Sequence, residues 1–137
     1  MLANINILLV EDNFEQARLT QHILRRNRLC GEIFIVRDGQ EALDFLERRD
    51  RFTDAGSCPR PHLVLLDLNI PKIDGKQVLR HIKSDERLKD IPVIVVSSSD
   101  SEEEVTEVYA IGADGYVSKS DTFERLQQAI SSLPASA

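Results

Sequence analysis

Five short apolar runs alternate with helix-patterned stretches along this chain, and that alternation leaves few folds open to it. The runs cover residues 4–10, 32–36, 63–66, 91–96 and 115–118, and they are rich in Ile, Val and Leu. Leu63 to Leu66 and Val93 to Val96 are unbroken, which fits strands buried on both faces. Between the runs the apolar period lengthens to that of helices. Residues 13–28 carry Leu19, Ile23 and Leu24 and can be capped by Asp12 or Asn13, and the helix opened by Asp38 carries Ala42, Leu43 and Leu46. Residues 75–84 present Val78, Leu79 and Ile82. Ser101 to Glu104 resembles a capping box leading to Val105, Val108 and Tyr109, with Gly112 as the stop. A last helix over residues 121–133 has Phe123, Leu126 and Ile130 on one stripe. Strand and helix alternating five times predict parallel strands, right-handed crossovers and helices on both faces of one doubly wound α/β sheet. No internal repeat competes with this, and one domain over residues 1–137 is expected.

The ends of the runs carry the chemistry. Asp67 follows the third run where burial should stop, Glu11 and Asp12 follow the first, Ser97 to Ser99 the fourth, and Lys119 the fifth. The carboxyl edge of an open α/β sheet is where ligands bind. A helix cap is an equally good account of Asp67 taken alone. If the first and third strands are neighbours, however, three carboxylates converge. Such a group must bind a cation, raise a pKa or acquire a Lys partner, and an all-oxygen set suits a hard ion such as Mg²⁺.

Composition narrows the classes. The 137 residues are 42% hydrophobic and 29% charged, as in globular domains, and no apolar span or basic-then-apolar leader appears, so the cytoplasm is the expected location. A net charge of −6 argues against a nucleic-acid surface. Cys30 and Cys58 lack metal-ligand spacing and are expected as free thiols. His22, His62 and His81 are scattered, and none looks catalytic. The first strand-helix turn, Glu11-Asp12-Asn13, has no glycine for a dinucleotide. Residues 48–60 form a long polar connection that fits either a binding element or a tolerated insertion.

Taken in order, the pair Glu11-Asp12, the run Asp67-x-x-x-Pro71-x-x-Asp74-Gly75, Ser97 closing Pro92 to Val96, and Gly112 through Lys119 resemble the receiver domain of two-component response regulators. The similarity runs almost end to end. It implies the flavodoxin-like strand order 2-1-3-4-5, an order for which a receiver is itself a stock example. It implies that Asp67 accepts a phosphoryl group from a phosphohistidine of a histidine kinase, with Mg²⁺ held by Glu11, Asp12, Asp67 and the backbone carbonyl of Asn69. Lys119 and Ser97 would contact the phosphoryl oxygens, and Ser97 and Tyr116 would act as the switch that alters the surface of helix 4, strand 5 and helix 5, through which partners or a second copy could dock. Asn69 and Ser99 would tune hydrolysis. The long connection after residue 47 looks like that of single-domain receivers paired with phytochrome-type histidine kinases.

Family members usually have Pro after the Lys, giving a cis peptide that aims the ammonium, whereas this chain has Ser120. A cis bond before a non-proline residue costs about 3 kcal/mol, so the aim of Lys119 and the phosphoryl lifetime are open. Two rivals stand beside the stand-alone switch. A pseudo-receiver would bind partners without phosphorylation. A phosphatase of the haloacid-dehalogenase type would need a second Asp two residues after the first, where this chain has Asn69, and room for a cap domain.

Overall fold

The computed structural model describes residues 6–26, 31–47, 60–68, 70, 73–98, 101–118, 125, 128 and 129. Nine elements follow in strict alternation: β1 (Ile7–Val10), α1 (Phe14–Arg26), β2 (Ile33–Val36), α2 (Gly39–Glu47), β3 (Leu63–Asp67), α3 (Gly75–Ser84), β4 (Val93–Ser97), α4 (Glu102–Ile111) and β5 (Gly115–Ser118). The strands form one parallel sheet in the order β2-β1-β3-β4-β5. The doubly wound sheet expected from the alternation is therefore present, in the flavodoxin-like order that the resemblance implied. Of the last expected helix only residues 125, 128 and 129 are described, and they are helical. Asn69, Ser99, Lys119, Ser120 and residues 48–59 lie outside the described residues.

Side chains on a strand point alternately to its two faces, and the core divides accordingly. Leu8, Val10, Val64, Leu66, Val93 and Val95 pack with buried residues of α2, α3 and α4 on one face. Ile7, Leu9, Leu63, Leu65 and Ile94 pack with Ala17 and Leu24 of α1 and with Ala129 on the other. The unbroken runs are thus read correctly as strands covered on both sides. Val78, Leu79 and Ile82 of α3 are fully buried, as their spacing predicts. Two helix faces need correction in part. In α1 Leu24 is buried as its spacing predicts and Ala17 joins it, while Leu19 is 53% exposed, because residues 17 and 24, two turns apart, share the face that meets the sheet and residue 19 does not. In α4 Val108 is buried as predicted, whereas Tyr109 is 48% exposed.

Each helix described in full begins with a side-chain cap of one geometry. Asn13 Oδ1 accepts from the Gln16 N–H at 2.9 Å, Asp38 Oδ1 from Glu41 at 2.8 Å, Asp74 Oδ1 from Gln77 at 3.0 Å, and Ser101 Oγ from Glu104 at 3.1 Å. A cap of this kind satisfies one of the four orphan N–H groups of a helix start. In a parallel sheet all four starts lie over the carboxyl edge of the strands, so the caps fix the loops that surround the site.

Candidate phosphoryl and metal site

The site begins with the register of β1 and β3. Val10 pairs with Leu66, and the next residues, Glu11 and Asp67, leave the two strands side by side. Both are buried, at 4% and 3% exposure, and Asp12 is exposed beside them. One carboxylate oxygen from each of Glu11, Asp12 and Asp67 lies within 4.8 Å of the others. The carboxylates that the sequence placed at two strand ends therefore converge. Glu11 also accepts from the Asn13 N–H at 3.3 Å, which ties it to the start of α1. Three hard oxygen donors on one edge fit a divalent cation that prefers carboxylate ligands.

Two features hold Asp67 in place. Its strand is flanked by β1 and β4, with Asp67 level with Val96, and the Leu68 N–H donates to the Val96 carbonyl at 3.2 Å. From the other side Gly75 closes on the end of the strand, and its N–H donates to the Leu68 carbonyl at 3.2 Å. A Cβ at Gly75 would sit 2.5 Å from Leu68 Cα and 2.8 Å from the Asp67 carbonyl oxygen, so the approach requires glycine.

Ser97 ends β4 one residue beyond Val96 and is fully buried. Its Oγ donates to Oε2 of Glu104 at 2.8 Å, and the same oxygen accepts from Tyr116 Oη at 2.6 Å. Tyr116 is half-buried against the core face that α2, α3 and α4 share. Ser97 and Tyr116, paired in the sequence reading, are thus joined through a carboxylate that this reading took for a cap residue. The signal for it was its place seven residues after Ser97 and twelve before Tyr116, which has meaning only once α4 is laid beside β4 and β5.

Two of the three histidines make structural contacts. His62 Nδ1 accepts from the Asn6 N–H at 2.9 Å, extending the β1–β3 ladder. His81 Nε2 lies 3.1 Å from Glu47 Oε1, while Arg87 donates to Glu47 Oε2 at 2.5 Å and pairs with Asp85 at 3.2 Å. The His81 contact, with the Arg87 guanidinium, holds the Glu47 carboxyl below its ordinary value. Glu47, His81 and Asp85 are close enough to share an ion, but with Arg87 between the two carboxylates they form an ion-pair network joining the ends of α2 and α3. Beside Glu11 and Asp12 an open groove of about 490 Å³ runs between α1 and β2 past Phe14, Arg18, Ile35 and Arg37.

Comparison with known proteins agrees with this geometry. Residues 7–131 match the model of the response regulator receiver domain. The chain is 41% identical over 125 residues to the response regulator Rcp1 of Synechocystis, covering 88% of this chain and 83% of that protein. Among solved structures it is similar to the phosphorylated cyanobacterial phytochrome response regulator RcpA, with a TM-score of 0.80 and 41% identity over 93% of this chain and 89% of that one. It is also similar to the Mn²⁺-bound form of Rcp1, with a TM-score of 0.80 and 37% identity over 96% and 99% of the two chains. From the five-stranded order, the acidic cluster at its carboxyl edge and these matches together, the chain belongs to the receiver domains of response regulators.

Proposed function

We propose that this receiver is a phosphoacceptor switch that takes a phosphoryl group from a histidine kinase onto Asp67 and signals through partner docking. The observation that carries the proposal is the burial of Asp67 at the end of β3 with Glu11 and Asp12 against it. A carboxylate oxygen of Asp67 attacks phosphorus in line, the P–O bond of an acyl phosphate forms, and the P–N bond to the donor imidazole breaks with its electron pair left on nitrogen. Such a transfer is mostly positioning and neutralisation of charge on the phosphoryl oxygens. Glu11, Asp12, Asp67 and the backbone carbonyl of Asn69 are the proposed ligands of Mg²⁺, which supplies that neutralisation when bound, and the Mn²⁺-bound Rcp1 supports a divalent ion in this family. Lys119, which follows Ser118 of β5 in the sequence, is assigned to the phosphoryl oxygens. Ser97 would donate to the new phosphoryl group, and Tyr116 would follow, altering the α4–β5 surface together with the helical segment after it. That surface is the proposed site for an output partner or a second copy.

The kinase we assign is of the phytochrome type, supported by the likeness to RcpA and Rcp1, and the compartment we assign is the cytoplasm. Among the described residues no helix is long and apolar enough to cross a membrane. Beryllofluoride, a tetrahedral stand-in for the phosphoryl group, tests the assignment. With Mg²⁺ it should shift the amide NMR signals at the ends of β1, β3 and β4 in the wild type and leave Asp67→Asn unchanged; equal responses from both proteins would overturn it.

A further inference from the structure

The first turn of α4 carries a carboxylate placed on both switch hydroxyls at once. Glu104 Oε2 accepts from Ser97 Oγ at 2.8 Å and from Tyr116 Oη at 2.6 Å. Ser97 is fully buried, and Glu104 and Tyr116 are half-buried, so these bonds are partly shielded from water. The Glu104 backbone is fixed as well, since its N–H is the one capped by Ser101 Oγ. A serine hydroxyl has a single proton to donate. While that proton is directed at Glu104 it is not available to an oxygen on Asp67, and a bond to a carboxylate is stronger than one to a neutral acceptor.

We infer that Glu104 is a positioning residue for phosphoryl acceptance: it holds the Ser97 and Tyr116 hydroxyls in the unphosphorylated state, and the phosphoryl group must draw the Ser97 proton away from it. The inference rests on the phosphoacceptor role of Asp67. Its consequence is a direct mechanical link, because release of Ser97 removes one of the Glu104 bonds that tie the first turn of α4 to the neighbouring strands. Glu104 thereby sets how much of the population is ready to bind a phosphoryl group, and binding in such a scheme weakens in proportion to the competent fraction.

Beryllofluoride titration of the full chain in excess Mg²⁺ tests this through a double-mutant cycle. The midpoint can be read from tyrosine fluorescence, since the chain has two Tyr and no Trp. Glu104→Ala should bind about tenfold more tightly than wild type, as expected for loss of one charge-assisted bond from the competing state. Glu104→Gln, which keeps the shape with a weaker acceptor, should fall between them. In a Ser97→Ala background the Glu104→Ala change should move the midpoint by less than about twofold, a dependence that a purely structural role of Glu104 would not produce. Unchanged or weaker binding by Glu104→Ala, or an equal gain in the Ser97→Ala background, would overturn the inference while leaving Asp67 as acceptor. If Glu104→Ala does not fold, Glu104→Gln decides by the same criterion. A wild type that gives no response at all would overturn the phosphoacceptor role itself, and this inference with it.

Discussion

Three carboxylates within 4.8 Å of one another, two of them buried, repel at a range where the protein screens charge poorly. A divalent cation held there would relieve that repulsion and favour the folded chain, so Mg²⁺ should raise the melting temperature, by an amount that keeps growing with the logarithm of its concentration once the site is filled. Asp12→Asn removes one charge from the exposed side of the cluster and should weaken Mg²⁺ by roughly tenfold while leaving the fold intact. Calorimetric titration measures it, and an unchanged affinity would remove Asp12 from the ligand set. Asp12, Glu11 and Asp67 were legible as candidates because each follows an apolar run that can only be a buried strand. Glu104 was not legible in this way. Its spacing after Ser101 marks a capping box, of which the structure shows the Ser101 bond to the Glu104 N–H, whereas its contacts to Ser97 and Tyr116 come from three elements brought together by the sheet.

At the scale of elements, the strand-to-helix turns decide where the site residues point. Gly75 closes the turn that follows β3, with the Asp67 carbonyl oxygen and Leu68 Cα in the space a Cβ would need. Gly75→Ala should cost about 1–3 kcal/mol through overpacking, and thermal unfolding should show a loss of roughly 3–10 °C. Mg²⁺ affinity should fall with it, because the displaced backbone is that of Asp67. A second element-scale expectation concerns the ends of α2 and α3. Glu47 is held below its ordinary value of 4.5 by the His81 contact and by Arg87. Its network therefore stabilises the fold above that pH and loses the contribution as pH falls from 4.5 through the lower folded-state value. Glu47→Gln should flatten the melting temperature against pH in that acid window, and an unaltered acid limb would contradict the role. The faces of α1 and α4 were less legible than their existence. Helical spacing found the buried Leu24 and Val108 but set Leu19 and Tyr109 beside them and missed Ala17, since which side of a helix meets the sheet depends on the crossover and not on the helix.

For the molecule as a whole, the alternation of strand and helix was sufficient to reach a parallel sheet with two covered faces, because a parallel pair requires a crossover and unbroken apolar runs require cover on both sides. The order of the strands is a different matter. Nothing in the runs themselves places β1 between β2 and β3, and the order came from the resemblance carried by Glu11, Asp12, Asp67, Ser97 and the residues from Gly112 onward. That order brings β1 and β3 together and makes the acidic cluster possible. The signalling role turns on whether the cluster accepts a phosphoryl group, and intact-mass measurement after incubation with acetyl phosphate reads this directly. One phosphoryl adduct is predicted on the wild type in Mg²⁺, with none after removal of Mg²⁺ and none on Asp67→Asn. An adduct of equal yield on Asp67→Asn, or none on the wild type where another receiver is labelled in parallel, would contradict the account.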